Sequence, residues 1–484
     1  MNLYAFSYNY DSLNDAFNVV NRSGKMQKRY LSGEYLQAAQ EYREMRKELN
    51  EKRRRKKADL TEDEKNRVIE LTQTMKENAL QQKKLLQDHL RKVSSNILSS
   101  SFRFNLTADA SKDSLKPLYT IGTTAEEFFA MQVLCRNVKK LFKISMSSRD
   151  EILSQLKILL KEDKSSYYLI RTDVCHCFES IPHDKLFKYL EDNNLLDVKS
   201  KSLLRGLIMN EFESKNLRPL VSTLHTGIPR GCAISSLLAE LYLSKIDKAI
   251  KRKLTGIVFM ARYVDDIIFV IHPELDDSQW AIAKYVNAIT EEYNKHGLTI
   301  HTPSDGTNKC YTYDSIESQQ MNFNLLGYNI QLKKEKKELV FSLSEDKLKK
   351  ITGRIDKSFI AFSNMIDTVG LDAASHYLFD ALHVLTSNIN LYNAKKGVKV
   401  GIFYSNQLLD NKNNLTYLDG QLERNIGKLD LSLKKSIAED DRAKIEERIK
   451  GKLSLLSFKK GFDYPHKRYK IKKQRLQTIK LSWA

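Results

Sequence analysis

Two apolar, β-prone runs, Gly256-Ile257-Val258-Phe259-Met260 and Ile267-Ile268-Phe269-Val270-Ile271, flank the polar string Tyr263-Val264-Asp265-Asp266. Runs of this kind around a short polar break predict a strand, a tight turn and a second strand. Such a hairpin pushes two adjacent carboxylates out at its turn. Folding gains nothing from that placement, because like charges held side by side repel, and a divalent cation between them makes it tolerable. The bland alternative is an ordinary hairpin with two solvated aspartates.

A second feature weighs against the bland reading. Asp173 stands 92 residues before Asp265, at the end of another β-prone run, Tyr168 to Thr172, where the chain enters the turn-rich stretch Cys175 to Pro182. One carboxylate at a strand end and two on a neighbouring hairpin can converge on a pair of Mg²⁺ ions. Ions so placed activate a 3′-hydroxyl and steady a pyrophosphate leaving group, which is the chemistry of nucleotidyl transfer.

Composition agrees with that direction. The formal charge is +20, from 80 Lys plus Arg against 60 Asp plus Glu, and such a surplus favours a polyanion through counterion release. Nucleic acid is the leading partner, ahead of an anionic membrane surface. Five cysteines in 484 residues are too few for a disulfide framework and point to a reducing, cytoplasmic setting. Neither a secretory leader pattern nor an apolar run of membrane-spanning length is present, so a membrane association is not expected.

Residues Leu31 to Leu98 are poor in Gly and Pro and rich in Glu, Lys, Arg, Gln and Leu, which predicts helix. Thr61-Glu62-Asp63-Glu64 supplies a cap and a first turn of acids, so the segment reads as a helical hairpin restarting near Asp59. Its tip is the run Lys52-Arg53-Arg54-Arg55-Lys56-Lys57, either a solvated helix end or an RNA contact. Helix is expected again over Thr124 to Leu160 and Ile234 to Ile250, a strand pair over Asn324 to Leu332 and Glu338 to Ser342, and mostly helix after Ser344 with a β-like interlude at Val398 to Tyr404. The division expected is a helical N-terminal extension (1–98), a central region (99–343), a helical region (344–450) and a basic, aromatic tail (451–484).

Three strings now fall into order: Asp173-Val174-Cys175-His176-Cys177-Phe178, Gly227-Ile228-Pro229-Arg230-Gly231-Cys232-Ala233-Ile234-Ser235, and Tyr263-Val264-Asp265-Asp266. In order and spacing they resemble motifs A, B and C of reverse transcriptases. Gly297-Leu298-Thr299-Ile300 is similar to motif D, and Asn324-Leu325-Leu326-Gly327-Tyr328 to the primer grip, so the resemblance covers roughly residues 100 to 345. It implies an α/β chain with an α+β palm, in the right-hand polymerase fold of fingers and palm, with a largely helical thumb. It also implies an RNA-directed DNA polymerase in which Asp173, Asp265, Asp266 and the Val174 carbonyl hold two Mg²⁺ ions, with Mn²⁺ as a substitute. Phe178 matches the steric gate under the sugar of the incoming deoxynucleoside triphosphate, against the alternative of a core aromatic. Tyr263, Gly327 and Tyr328 match nucleic-acid contacts.

Two positions depart from the family pattern. Arg230 stands where Gln is usual, which adds a permanent charge near phosphates, and Ser235-Ser236 replaces a Ser-Pro pair. Gly231, next to Arg230, lacks a Cβ and so permits close approach of a base or template sugar. The Pro-Arg-Gly form, with Phe178-Glu179-Ser180-Ile181-Pro182-His183 and Lys399 to Asn406, looks most like bacterial reverse transcriptases of phage defence, including the abortive-infection type. That implies antiviral defence with a noncoding RNA partner.

Other candidates carry bland alternatives. Cys175-His176-Cys177 has ligands too close for the usual zinc spacing. Lys112, Lys116 and Arg136 precede motif A, where the resemblance implies finger-domain cations that meet a triphosphate, though basic residues are abundant here. The tail carries ten Lys or Arg, Lys467 and Arg468 among them, against one Asp, interleaved with aromatic residues, a combination suited to single-stranded nucleic acid or to a solvated tail. The hairpin of Leu31 to Leu98 is a candidate for self-association. Two further functions stay open: a template-independent or protein-primed DNA polymerase started from a Tyr or Ser hydroxyl, and an RNA-binding assembly scaffold that does not need its polymerase site.

Overall fold

In the computed structural model, residues 7–23, 26–54, 61–109, 117–162, 165–191, 196–209, 225–274, 281–333, 335–336, 338–391, 398–432 and 439–483 are described. The chain divides into two units, each assembled from several segments: Met1–Met146 with Val174–Thr255 and Asn287–Ile300, and Ser147–Asp173 with Gly256–Val286 and His301–Ala484.

The first unit begins with helices. Thr61 accepts the Glu64 N–H while the Glu64 carboxylate accepts the Thr61 N–H, a reciprocal cap that starts the helix Glu62–Leu98 where the sequence predicts it. The helix runs antiparallel to Gly33–Arg54, cross-linked by Arg67 on both oxygens of Glu48 (3.0 and 3.3 Å) and by Gln82 Nε2 on the Ala38 carbonyl. Leu71, Leu90, Val93 and Ile97 are buried along it. The hairpin is not a detached extension: its long helix packs against Tyr10–Arg22, a helix absent from the sequence reading, and against Ala125–Leu141. Tyr30 stacks on Phe128 with ring centres 4.1 Å apart. A short hairpin, Leu106–Asp109 with Leu118–Ile121, and the helices His183–Glu191, Val198–Met209 and Ser235–Lys253 complete the unit.

The second unit contains an antiparallel four-stranded sheet in the order Ile257–Tyr263, Asp266–Ile271, Tyr168–Asp173, Tyr311–Asp314. Its two central strands carry the apolar runs Tyr168 to Ile170 and Ile267 to Ile271, buried on both faces. Leu153, Leu156 and Leu160 of the helix Arg149–Glu162 pack with Tyr167, Leu169, Ile268, Val270 and Tyr313 in one core. At about 1.5–3 kcal/mol per buried side chain, this core fixes the register of the central strands. The expected strand pair at 324–342 is a three-stranded meander, Gln320–Leu325, Tyr328–Lys333 and Glu338–Leu343. Leu326 and Gly327 both have positive φ (49° and 80°), the sign pattern of a type I′ turn, so a turn falls inside what the sequence shows as one run.

Four helices follow, Glu345–Val369, Leu371–Thr386, Asn413–Gly427 and Glu439–Leu453, around a second core that includes Ile355, Phe362, Leu378, Leu418 and Leu453. The tail differs from the expectation of a separate basic segment. Arg468–Tyr469 joins Asn388–Leu391 and Val398–Gly401 as a parallel edge strand, and the helix Lys473–Ser482 buries Leu476 and Ile479. Ile471 just before the helix, with Leu476 and Ile479 one turn apart on it, docks it despite its charge. No helix among the described residues is long and apolar enough to cross a membrane.

Candidate active site

The register of the central sheet places Asp173 directly opposite Asp266, while Tyr263 pairs with Asp266 across a two-residue turn, Val264-Asp265. The hairpin forms where the sequence puts it, with Asp265 in the turn and Asp266 opening the second strand, partly buried rather than pushed out. Val264 has φ 61°, in the left-handed region that a β-branched residue avoids. Arg262, buried in the preceding strand, donates from Nη1 to the Val264 carbonyl at 3.0 Å and holds the turn in that conformation.

Two cations that the sequence reading missed attend the acids. Arg171 Nη2 lies 2.6 Å from Asp266 Oδ1, and its Nη1 donates to the Lys309 carbonyl at 2.7 Å. Lys309 Nζ lies 3.6 Å from Asp173 Oδ2 and 3.5 Å from His301 Nε2, while His301 Nδ1 faces Asp305 Oδ2 at 2.6 Å. Burial raises the Asp266 pKa; Arg171 pulls it back, and the charges of Asp265 and Asp173 push it up again. Arg171 was legible only as a polar break in a strand, and Lys309 lies 136 residues beyond Asp173, so neither carried a local signal.

The donor set suits a hard divalent cation, since carboxylate oxygens are what Mg²⁺ takes. Asp173 Oδ1 is buried with no hydrogen-bond partner, an arrangement that costs free energy unless something satisfies it. As the side chains stand, no three His, Cys, Asp or Glu groups among the described residues converge on one metal position. Arg171 and Lys309 hold two of the acids instead. Cys175-His176-Cys177 likewise forms no metal group, and all five cysteines are free thiols.

The motif A and B pieces beyond Asp173 belong to the other unit. Val174 is buried and bridges to Ile300. Phe178 is half-buried on the one-turn helix Cys177–Ser180, and its carbonyl accepts the Ile228 N–H at 2.8 Å, tying the two motifs together. Arg230 and Gly231 are exposed. Gly231 has φ 97°, and a Cβ there would lie 2.8 Å from the Tyr119 carbonyl oxygen. The close approach that requires this glycine is thus to the protein's own strand.

Other expected contacts fare unevenly. Tyr263 is exposed at the hairpin. Gly327 turns beside a cavity of about 650 Å³ lined by Arg149, Arg171, Asp266, Lys347, Lys350 and Arg354 among others, but Tyr328 is a core residue at 1% exposure. Its ring carries Arg149 and Lys347 at 5.0 and 5.3 Å, so it supports the cations and offers no free face. Arg136 also differs from the expectation: it is turned to the Ser12 carbonyl and Asp15 at 3.4 and 3.5 Å, anchoring the first helix. Arg53 is exposed near the end of Gly33–Arg54, where Arg54 also lies; Lys467 and Arg468 are exposed, Arg468 on the edge strand and Lys467 just before it. Lys112, Lys116 and Arg55 lie outside the described residues.

A sheet with one acid at a strand end and two on the adjoining hairpin defines the palm of a template-copying polymerase. The family described as reverse transcriptase (RNA-dependent DNA polymerase) matches residues 81–330, just over half of the sequence. The chain belongs to that family. Among curated proteins, the COX1/OXI3 intron 2 protein of Saccharomyces cerevisiae is 33% identical over 86 residues, 18% of this chain and 10% of that protein. An uncharacterized 91 kDa protein in the cob intron of Schizosaccharomyces pombe is 28% identical over 102 residues, 20% of this chain and 12% of that protein. The chain thus spans about a tenth of the length of these relatives. Among solved structures, telomerase from Candida albicans in complex with a TWJ fragment of telomeric RNA gives a TM-score of 0.32 at 12% identity, over 74% of this chain and 67% of that one.

Proposed function

We propose that this chain synthesises DNA from deoxynucleoside triphosphates on an RNA template, at the site of Asp173, Asp265 and Asp266. The observation that carries the reading is the register that sets Asp173 opposite Asp266 beside the Asp265 turn. The partnerless Asp173 Oδ1 supports it. The three carboxylates, with the Val174 carbonyl, are the groups that would hold two Mg²⁺ ions or Mn²⁺ in their place. Ions bound there supply the positive charge that favours a 3′-alkoxide and a departing pyrophosphate. Arg171 opposes the rise that burial brings to the Asp266 pKa, and Lys309 balances charge at Asp173. Phe178 is the residue proposed to reject a 2′-hydroxyl, and Arg230 to attract phosphate.

The test uses purified protein, a homopolymer RNA template with a DNA primer, and labelled deoxynucleotide with Mg²⁺ or Mn²⁺. Incorporation is expected from the wild type and a loss of at least about a hundredfold from Asp265→Ala with Asp266→Ala. Wild-type incorporation by that double variant overturns the assignment.

The finer reading is antiviral defence in the bacterial cytoplasm with a noncoding RNA partner, supported by the Pro229-Arg230-Gly231 form of motif B. Sequencing the RNA that copurifies, together with phage plating on cells carrying the wild type or the double variant, tests it; equal protection by both would favour an assembly role instead. Self-association through the N-terminal helices, where Ile69 and Leu80 stay exposed, belongs to the same proposal and is read from molar mass in solution.

A further inference from the structure

Part of the basic stretch, Tyr464 to Arg468, is built into a face. Arg468 Nη1 donates to Asn390 Oδ1 at 3.1 Å, and Asn390 pairs with Lys399 across the next strand. Lys399 Nζ stands 5.4 Å from the centre of the Tyr404 ring, whose hydroxyl donates to the Pro465 carbonyl. Beside Pro465, Lys467 Nζ stands 5.2 Å from the ring centre of Tyr464. Local contacts, strand register and chain adjacency therefore gather three cations and two aromatic rings beside the sheet formed by Asn388–Leu391, Val398–Gly401 and Arg468–Tyr469.

The fold gains little from this face. Lys399, Lys467 and Arg468 are all exposed, and Tyr464 is 58% exposed. Like charges gathered on a surface repel, and an open aromatic ring forgoes the burial that usually places it. Tyr469, on the same edge strand, shows the contrast. Its ring stacks on His383 at 4.3 Å and its hydroxyl donates to the buried carboxylate of Asp380. Asp463, the single acid of the stretch, is taken up by Lys412.

We propose that Lys399, Tyr404, Tyr464, Lys467 and Arg468 form a platform for single-stranded RNA. Cations spaced along a strip meet successive phosphates, and flat rings between them stack on bases whose faces are open. A duplex hides those faces. The platform lies outside residues 81–330 and uses none of the three aspartates. Its commitment to RNA rests on the proposed copying of an RNA template.

The experiment measures fluorescence anisotropy of an unstructured RNA of about 20 nucleotides with the full chain, without nucleotides, over a range of salt. The triple variant Lys399→Glu, Lys467→Glu, Arg468→Glu is expected to bind at least tenfold more weakly. Its slope of log K against log salt should be shallower by about 2, from three phosphate contacts at about 0.7 each. Tyr464→Ala is expected to lose about fivefold or more and Tyr464→Phe to retain binding. Ultraviolet crosslinks are expected on peptides containing Tyr404 and Tyr464. All these side chains are exposed or half-buried, and an unchanged unfolding midpoint certifies each variant. Wild-type affinity and slope in the triple variant overturn the platform, as does equally tight binding of single-stranded DNA or duplex RNA of the same length. If platform binding fails while homopolymer copying persists, only this inference falls; if copying fails while the Tyr464 dependence of RNA binding persists, only the polymerase reading falls.

Discussion

Replacing Gly231 with alanine separates two reasons for having a glycine in motif B. The Tyr119 N–H donates to the Arg230 carbonyl at 2.7 Å, which draws the strand Leu118–Ile121 against the motif. A Cβ on residue 231 would meet the Tyr119 carbonyl oxygen at 2.8 Å and the Tyr119 nitrogen at 3.4 Å, from a φ of 97°. Both obstacles are backbone and cannot swing aside. A left-handed conformation in alanine costs about 1–2 kcal/mol. Displacing the strand far enough to clear the contact weakens the Tyr119 hydrogen bond, at about 1 kcal/mol. The lower entropy of the unfolded alanine chain offsets about 0.4–1 kcal/mol. The net is a destabilisation of about 1–3 kcal/mol, expected as a lower unfolding midpoint and faster hydrogen exchange in peptides covering residues 118–121. If the glycine instead serves only the approach of nucleic acid, Gly231→Ala keeps its midpoint and its exchange protection and loses template affinity alone; that pattern refutes the packing argument.

Lys347 is half-buried beside Arg149, and burial first, then that neighbouring charge, depresses its pKa from 10.5 to about 8. Between those values the unfolded chain binds more protons than the folded one, so stability rises with pH across pH 8 to 10.5, by at most about 3 kcal/mol, and urea unfolding of Lys347→Met should lack that component. Phe178→Ala is expected to admit ribonucleotides in single-nucleotide incorporation, and unchanged sugar discrimination would remove Phe178 from the gate. Val264→Gly relieves the positive φ at the acidic turn and should raise stability by about 0.5–1 kcal/mol while slowing incorporation; a lower midpoint would show that the turn is not strained.

The parts of this fold that local chemistry dictates were legible. Thr61 and Glu64 close the cap that the spacing announces, and the hairpin with Tyr263, Val264, Asp265 and Asp266 forms as its flanking runs require. What stayed hidden depends on distant partners. The strand Tyr311–Asp314 has few apolar residues and forms because Tyr168 to Arg171 offers it an edge. Arg136 looks like any other surface cation until Asp15 and the Ser12 carbonyl are beside it. The tail reads as solvated charge because Ile471, Leu476 and Ile479 are spread among ten cations, and only the groove along Tyr377, Ala381 and Ile389 gives them a core.

Several local conflicts of the second unit meet at one place. A valine adopts a backbone region suited to glycine, a carboxylate is buried until its pKa rises, an aspartate oxygen is enclosed without a partner, and three acids share a strand end and a turn. Each of these opposes folding, and none has a packing rationale. Arg171 and Lys309 soften the charge without removing it, since two cations face three carboxylates. The apolar core behind the strands is large enough to carry the residue of this cost, and it is this core that holds Asp173 and Asp266 in register whichever cation is present. A site that only stabilised the protein would not be built this way; one that must receive positive charge from outside would be.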